Sequence, residues 1–101
     1  MVLKYKNDSI MVISTNNTRI LNYVFRKLYH AIIINNCNRY SSILNKQKID
    51  IVMVDDNFKI LSIKRKMNEN TIYENKNASK VVLLPLGMFD DLVVDDYFTV
   101  E

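Results

Sequence analysis

Residues 49–63, IDIVMVDDNFKILSI, decide the fold class. Apolar, mostly β-branched side chains dominate Ile49–Val54, and an alternating apolar pattern resumes at Phe58 after the polar tip Asp55-Asp56-Asn57. Two such runs on either side of a short acidic and amide tip are typical of an antiparallel hairpin. The tip has no glycine, and Asn tolerates positive φ better than most residues, so Asn57 is the predicted left-handed position.

Short runs of the same kind continue on both sides of this hairpin. They predict further strands at residues 2–6, 10–14, 31–34, 40–44, 81–84 and 97–100. The first two form a hairpin around Asn7-Asp8, and Pro85 ends the strand at 81–84 because proline cannot donate a ladder hydrogen bond. Residues 64–80 are polar and lack a sustained period, which predicts a long surface loop anchored by Ile72 and Tyr73.

One segment carries helical spacing instead. Apolar residues at 20, 21, 24, 25 and 28 follow a cap-forming Thr-Asn-Asn-Thr cluster, which predicts one short amphipathic helix. The whole chain, residues 1–101, is thus expected to form a single, mainly β domain with minor α content. The predicted architecture is a jelly-roll-like β-sandwich or barrel of short antiparallel strands.

Composition excludes several classes of protein. At 101 residues the chain supports one modest core, and its 49% hydrophobic and 25% charged residues argue against disorder. A single glycine and a single proline exclude collagen-like repeats and glycine-rich phosphate loops. One cysteine cannot form an internal disulfide, and the longest uninterrupted apolar runs fall far short of the ~20 residues of a spanning helix. We expect a soluble, cytoplasmic protein with no membrane association.

Charge is unevenly distributed along the chain. Residues 1–49 carry a net charge of +7 and residues 50–101 a net charge of −4. Either folding mixes the two halves into a solvated surface, or a basic face serves an acidic partner. The candidate basic surface consists of Arg39, Lys64, Arg65 and Lys66. Nucleic acid is not the expected partner, because tryptophan, an aromatic-rich strand face and a phosphate cradle are missing from the sequence.

Reactive groups are few. His30, the only histidine, and Cys37, the only cysteine, have no spacing that favours a nucleophile–base pair or a zinc site. The acidic pairs at 55–56, 90–91 and 95–96 coincide with predicted turns, and turn chemistry alone explains them. The sequence therefore predicts no catalytic residue, no metal and no cofactor.

Four stretches carry a resemblance to a known family. RILNYVF at 19–25 is similar to the family's Arg-Leu-x-Gly-Leu-Met-Phe. Two pieces, Asn36-Cys37-Asn38 through Ser42 and Lys46 to Ile49-Asp50, are similar to its Pro-Cys-Asn-Ser-Ile-His-Thr-Phe-Phe-Met-Arg-Phe-Pro-Ile-Asp run, followed by the strand Ile51 to Val54 that ends in Asp55. VVLLPLG at 81–87 is similar to Val-Leu-Glu-Leu-Pro-Ala-Gly, and Asp95-Asp96 to a final Gly-Asp. The chain resembles a divergent member of the bacterial and archaeal domain-of-unknown-function family one hundred and ninety-two.

The resemblance implies a mainly β fold of jelly-roll type and no established activity. Where the family has glycine, histidine, Phe-Met, proline and glutamate, this sequence has Asn22, Ser41, Leu44-Asn45, Lys48 and Leu83. Polar positions that are kept form a candidate ligand-binding set: Arg19, Asn38, Ser42, Lys46 and Asp50. The last three are separated by even steps, so on one continuous strand they would share a face.

Three functions stay open from the sequence. The first is a non-enzymatic binding or interaction module that presents a basic surface to a protein or an anionic partner. The alternative is a pocket for an anionic or carbohydrate-like small molecule in a β-barrel, with or without weak hydrolysis. The third is a nucleic-acid-associated protein. The end strands at 2–5 and 97–100 are candidates for edge-to-edge pairing in a dimer.

Overall fold

The computed structural model describes residues 1–16, 29–41, 48–67 and 72–101. These ranges contain nine strands: β1 Val2–Tyr5, β2 Asp8–Thr15, β3 Ala31–Asn35, β4 Arg39–Ser41, β5 Ile49–Val54, β6 Ile60–Met67, β7 Ile72–Glu74, β8 Lys80–Leu84 and β9 Thr99–Val100. The described ranges include no helix, so the mainly β prediction is confirmed. The helix predicted around residues 20–28 lies outside the described residues. In the part of the chain that the structure describes, no helix is long and apolar enough to cross a membrane.

Seven strands form one sheet in the order β6-β5-β8-β3-β2-β1-β9, and β4 pairs with β7 in a small second sheet. The predicted hairpins β1–β2 and β5–β6 are present and antiparallel. The prediction of antiparallel strands throughout is wrong, because β2 and β3 are parallel, with Val12 opposite Ala31. The connection at 16–30 has the dozen or more residues that a parallel crossover needs, and a jelly roll lacks such a step.

Three adjacent strands, β5, β8 and β3, are buried on both faces of the large sheet. Along β5, Val52 and Val54 pack into a first core cluster, and Ile51 and Met53 pack into a second one. Strands β3 and β8 divide their side chains between the two clusters in the same alternating way. This explains why their sequences are nearly continuous apolar runs, as is usual for strands covered on both sides.

Different parts of the chain cover the two faces. Phe89 and Phe98, from the C-terminal segment, belong to the first cluster and pack with Tyr5, with ring centroids 5.8–5.9 Å apart. On the second face, Tyr40 of β4 is buried in the second cluster, and Tyr73 of β7 packs against it. The small β4–β7 sheet therefore closes one core, and residues 85–98 close the other.

The large sheet curls so that its two edges approach each other. Tyr97 forms an isolated bridge with Lys59 next to β6, and Ile60 of β6 exchanges backbone hydrogen bonds with Asp95 and Asp96. Two residues later the same segment becomes β9, which pairs with β1. The result is a half-barrel, in which β1 is hydrogen-bonded on both sides. The prediction that residues 2–5 form an edge strand is therefore wrong, because β9 pairs with β1 on the side away from β2.

Two local predictions also need correction. In the β5–β6 turn, the residue with positive φ is Phe58 at 63°, not Asn57, because the Asp55 carboxylate accepts from the Asn57 and Lys59 amides and fixes the turn.

The predicted loop at 64–80 is wrong over much of its length: β6 continues to Met67, and β7 follows. Lys64 and Lys66 are exposed on β6, the first strand in the sheet order, and their polar side chains interrupt the apolar pattern.

Candidate functional site

Three loops meet at one end of the large sheet. The Cys37 amide donates to the Ser79 carbonyl at 3.0 Å, and the Ser79 amide donates to the Val54 carbonyl at 2.9 Å. These bonds align the loop after β3, the residues before β8 and the tip of the β5–β6 hairpin. Between them lies a cavity of about 430 Å³, called the loop cavity below, whose lining residues are Asn36, Cys37, Asn38, Arg39, Asp56, Ala78 and Ser79.

Most polar side chains of the loop cavity are uncommitted. Asn36 has a φ of 53°, which turns the chain out of β3, and the backbone carbonyl of Asn38 accepts from the Asn75 amide. The Cys37 thiol donates to the Arg39 carbonyl at 2.9 Å. Among the described residues, none hydrogen-bonds to the side chains of Asn36, Asn38 or Arg39. The cavity thus offers amide and guanidinium groups that are free to contact a ligand.

Asp55 and Asp56 have different environments at the hairpin tip. The Asp55 carboxylate is used by the turn, since it accepts from two backbone amides at 2.8 and 3.0 Å. Asp56 is exposed and lines the loop cavity without a partner among the described residues. Turn hydrogen bonding therefore explains why residue 55 is Asp, as predicted. It does not explain why residue 56 is Asp.

Asp50 lies at the opposite end of β5, six residues from Asp56, which is about 20 Å at the usual strand rise. Its side chain is 1% exposed. The carboxylate accepts from Arg65 Nη1, from the Lys66 amide and from the Gly87 amide, each at 3.0 Å. Arg65 Nη2 also donates to the Phe89 carbonyl at 2.7 Å. A cavity of about 190 Å³ adjoins this cluster, and the two buried or half-buried charges in its lining, Asp50 and Arg65, already bind each other.

The two described members of the predicted ligand-binding set, Asn38 and Asp50, lie apart. Asn38 lies in the loop cavity and Asp50 at the far end of the sheet, while Arg19, Ser42 and Lys46 lie outside the described residues. Lys48 is outside any strand and β5 begins at Ile49, so Asp50 does not continue one strand back through residue 48. Asp50 instead ties β5 to β6 and to the corner after β8.

The predicted basic surface is also divided. Arg39 lines the loop cavity, whereas Arg65 is bound to Asp50 and the Phe89 carbonyl at the other end. Lys64 and Lys66 are exposed on β6. Three other lysines form ion pairs: Lys4 with Glu101 at 2.8 Å, Lys6 with Asp91 at 3.2 Å and Lys59 with Asp95 at 3.6 Å. Folding thus mixes basic and acidic groups that are far apart in sequence.

Two buried tyrosines have raised pKa values for different reasons. Burial is the main cause for Tyr5, and the hydrogen bond that its hydroxyl donates to Asp96 at 2.6 Å raises the pKa further. For Tyr40, burial alone raises the pKa to about 12. The Tyr40 hydroxyl has no hydrogen-bond partner among the described residues. Neither side chain lines the loop cavity.

His30 and Cys37 do not form a pair, and the described residues contain no metal-binding cluster. His30 precedes β3 and Cys37 follows it, so the five-residue strand separates them by about 17 Å. No group of three His, Cys, Asp or Glu side chains in the described ranges is placed to hold a metal ion.

Sequence reasoning missed Asn36, Asp56 and Ser79 as lining residues of the loop cavity. They come from three separate loops, and only the register of β3, β8 and β5 brings those loops together. The polar run Asn35-Asn36-Cys37-Asn38 was the available signal, because four such residues after an apolar strand exceed what a tight turn needs.

No protein-family model matches the chain, and neither does any curated protein. Two solved structures are similar to it. One is a protein of unknown function from Novosphingobium aromaticivorans DSM 12444, with a TM-score of 0.77 and 9% identity over 98% of this chain and 82% of that one. The other, from Sinorhizobium meliloti 1021, is named a putative transcription regulator and has a TM-score of 0.77 and 10% identity over 97% of this chain and 89% of that one. At these identities the similarity is one of fold alone.

Proposed function

We propose that this protein is a non-enzymatic binding module and that the loop cavity binds a small polar ligand. The observation that carries the proposal is the convergence of uncommitted side chains from three loops on one cavity of about 430 Å³. That volume is within the ~300–1,000 Å³ of small-molecule sites. Loops held by a rigid sheet are also where binding residues concentrate.

The polarity of the lining favours a polar ligand over an apolar one. Asn36 and Asn38 each supply amide donors and an acceptor, and Arg39 supplies a planar set of donors suited to carboxylates. Ala78, 9% exposed, provides the only buried apolar contact in the lining. A ligand would therefore gain affinity from hydrogen bonds and charge rather than from apolar burial.

A binding role is supported over a catalytic one by where the reactive groups lie. The Cys37 thiol is at the cavity but donates to a backbone carbonyl, and the imidazole of His30 is at the other end of β3. A general base must be within hydrogen-bond reach of its nucleophile, or one water away. The Cys37 thiol is therefore not hydrogen-bonded to a base among the described residues.

The proposal is tested by titrating a ¹⁵N-labelled sample with small carboxylates, amino acids and sugars, and following amide chemical shifts. Binding is expected to shift the amides of residues 36–39, 56 and 78–79 together and to leave those around Asp50 in place. Asn38→Trp, an exposed lining position, should block the cavity, whereas Asn77→Trp is an exposed control outside the lining. If no compound shifts these amides, or if Asn38→Trp leaves binding unchanged, the proposal is wrong.

A second candidate function uses the β6 edge. Lys64 and Lys66 are exposed there and form no ion pair with the described residues. They would attract an acidic protein partner, and they are two members of the predicted basic surface that lie together on one strand. Such binding should weaken strongly from ~0.01 M to ~1 M salt, as the Debye length falls from about 30 to 3 Å. Salt-insensitive association, or association unchanged in Lys64→Gln/Lys66→Gln, would contradict it.

Family and location stay proposals that rest on the sequence. We propose that the chain is a divergent member of domain-of-unknown-function family one hundred and ninety-two, on the strength of its Leu-Pro-x-Gly corner and its ordered motifs. We also propose a cytoplasmic location, since the lone cysteine needs no oxidising compartment. Cell fractionation of the native host, with an antibody to the chain, tests the location.

A further inference from the structure

We propose that the ligand of the loop cavity is a small zwitterion of the α-amino-acid class, held by its carboxylate at Arg39 and by its ammonium group at Asp56. This inference rests on the proposed function and specifies its ligand. The observation behind it is a pair of opposite charges that line one cavity and yet form no ion pair with each other. Their nitrogen and oxygen atoms are therefore more than 4.0 Å apart.

Arg39 has a carboxylate opposite it in the β4–β7 ladder but forms no ion pair with it. Glu74 lies directly opposite it in the β4–β7 ladder, where opposite charges usually interact across the strands. The structure has no ion pair between them, and Arg39 lines the loop cavity instead. The guanidinium has no ion-pair partner among the described residues and is therefore available to a ligand carboxylate, for which its two-bond geometry is well suited.

Asp56 is likewise left without a cation. Asp55 accepts the two turn hydrogen bonds, and the Asp56 carboxylate has no partner among the described residues. Lys80, the lysine that follows the lining residue Ser79, donates to Asn35 Oδ1 at 2.9 Å and lies 5.5 Å from the Phe58 ring centroid. The Asp56 carboxylate is thus available to an ammonium group brought by a ligand.

Two opposite charges on one cavity select for a ligand that carries both. A simple anion bound at Arg39 is repelled by Asp56, and a simple cation bound at Asp56 is repelled by Arg39. A neutral sugar gains from neither charge. A zwitterion satisfies both, and the amides of Asn36 and Asn38 can hydrogen-bond its remaining polar atoms.

The test compares three versions of each compound by isothermal titration and amide shifts: the free amino acid, its N-acetyl derivative and its carboxamide. The N-acetyl compound keeps only the anion, and the carboxamide keeps only the cation. We expect the free amino acid to bind more tightly than either derivative by roughly tenfold or more.

Charge variants identify the two contacts separately. Asp56→Asn should remove the advantage of the free amino acid over the N-acetyl compound, and Arg39→Gln should remove its advantage over the carboxamide. Both positions are exposed, so neither change should unfold the protein. Asp8→Asn and Lys76→Gln are matched charge controls at exposed positions outside the lining and should preserve both preferences.

The outcomes separate this inference from the proposed function. If an N-acetyl compound or a sugar binds the cavity as tightly as the amino acid, the zwitterion inference is wrong while cavity binding stands. If no compound of any class shifts the cavity amides, both are wrong. If the preference is present and the two variants remove it in the stated pattern, the inference is supported.

Discussion

Asp50 and Arg65 form an ion pair across two antiparallel strands, with Arg65 Nη1 3.0 Å from Asp50 Oδ2. Asp50 is almost fully buried, and about a third of the Arg65 side chain is exposed. Both groups also bind the C-terminal segment, Asp50 through the Gly87 amide and Arg65 through the Phe89 carbonyl. The pair therefore fixes the segment that covers the first core cluster.

Arg65→Met should destabilise the protein strongly. It leaves the buried Asp50 carboxylate without its cation, and removing one partner of a buried pair typically costs about 3–5 kcal/mol. Because Arg65 is partly exposed and two backbone amides still bind Asp50, we expect the lower end, about 3 kcal/mol. Urea unfolding followed by far-ultraviolet circular dichroism measures this change.

An exposed ion pair provides the control for Arg65→Met. Lys4 and Glu101 lie 2.8 Å apart, but both side chains are well exposed, so Lys4→Met should cost less than about 1 kcal/mol. The double variant Asp50→Leu/Arg65→Met should recover part of the loss by removing the unpaired charge. Equal losses in the free energy of unfolding for Arg65→Met and Lys4→Met would show that the buried Asp50–Arg65 pair stabilises the fold no more than an exposed pair does.

Tyr40→Phe should stabilise the protein. The Tyr40 hydroxyl is buried without a partner among the described residues, and an unpaired buried hydroxyl costs about 1–2 kcal/mol relative to an apolar group. Tyr5→Phe is the matched comparison: it removes a hydrogen bond to the Asp96 carboxylate and should destabilise by about 1.5–3 kcal/mol. Denaturation midpoints of the two variants should therefore move in opposite directions. A lower midpoint for Tyr40→Phe would mean that its hydroxyl has a partner.

Stability should fall in alkaline solution. The pKa of Tyr40 is about 12 in the folded protein against 10.0 for the free side chain. Below pH 10 both states hold the proton. Between pH 10 and about 12 only the unfolded state releases it, so this group contributes a loss of about 1.4 kcal/mol per pH unit. Tyr5 adds a loss of the same sign, since its pKa is also raised.

The measurement is urea unfolding at a series of pH values, paired with tyrosinate absorbance. Tyr40→Phe should have a shallower decline above pH 10 than the unmodified protein. Identical declines in the two proteins would exclude Tyr40 as a source of the alkaline loss.

The sequence predicted the fold best where local pattern and burial agree. Residues 49–63 form the expected hairpin because its alternating residues face two apolar clusters. The loop predicted at 64–80 was wrong. Lys64 and Lys66 are exposed on β6, and their polar side chains interrupt the apolar alternation by which a strand is predicted. The β2–β3 pairing could not be predicted, since parallel and antiparallel neighbours share the same local pattern.

The candidate site depended still more on contacts between distant residues. Asn38 and Asp50 share a motif run in the sequence, yet they lie at opposite ends of the sheet because β3 and β5 are both antiparallel to β8 and lie on either side of it. Asn38 instead meets Asp56 and Ser79, through the pairing of Cys37 with Ser79 and of Ser79 with Val54. Register decides these neighbours, and no short stretch of sequence encodes it.

Gly87→Ala tests the corner that the Asp50–Arg65 pair holds. Gly87 has a φ of 75°, a region in which a Cβ atom is strained. A Cβ built there would be 3.6 Å from Asp90 Oδ1, an ordinary contact, so backbone strain and not crowding should dominate. We expect a loss of about 1–2 kcal/mol. Gly87→Asn should lose less, because Asn tolerates the left-handed region better than Ala. Equal losses for the two variants in urea unfolding would show that the φ of Gly87 is not what this corner requires.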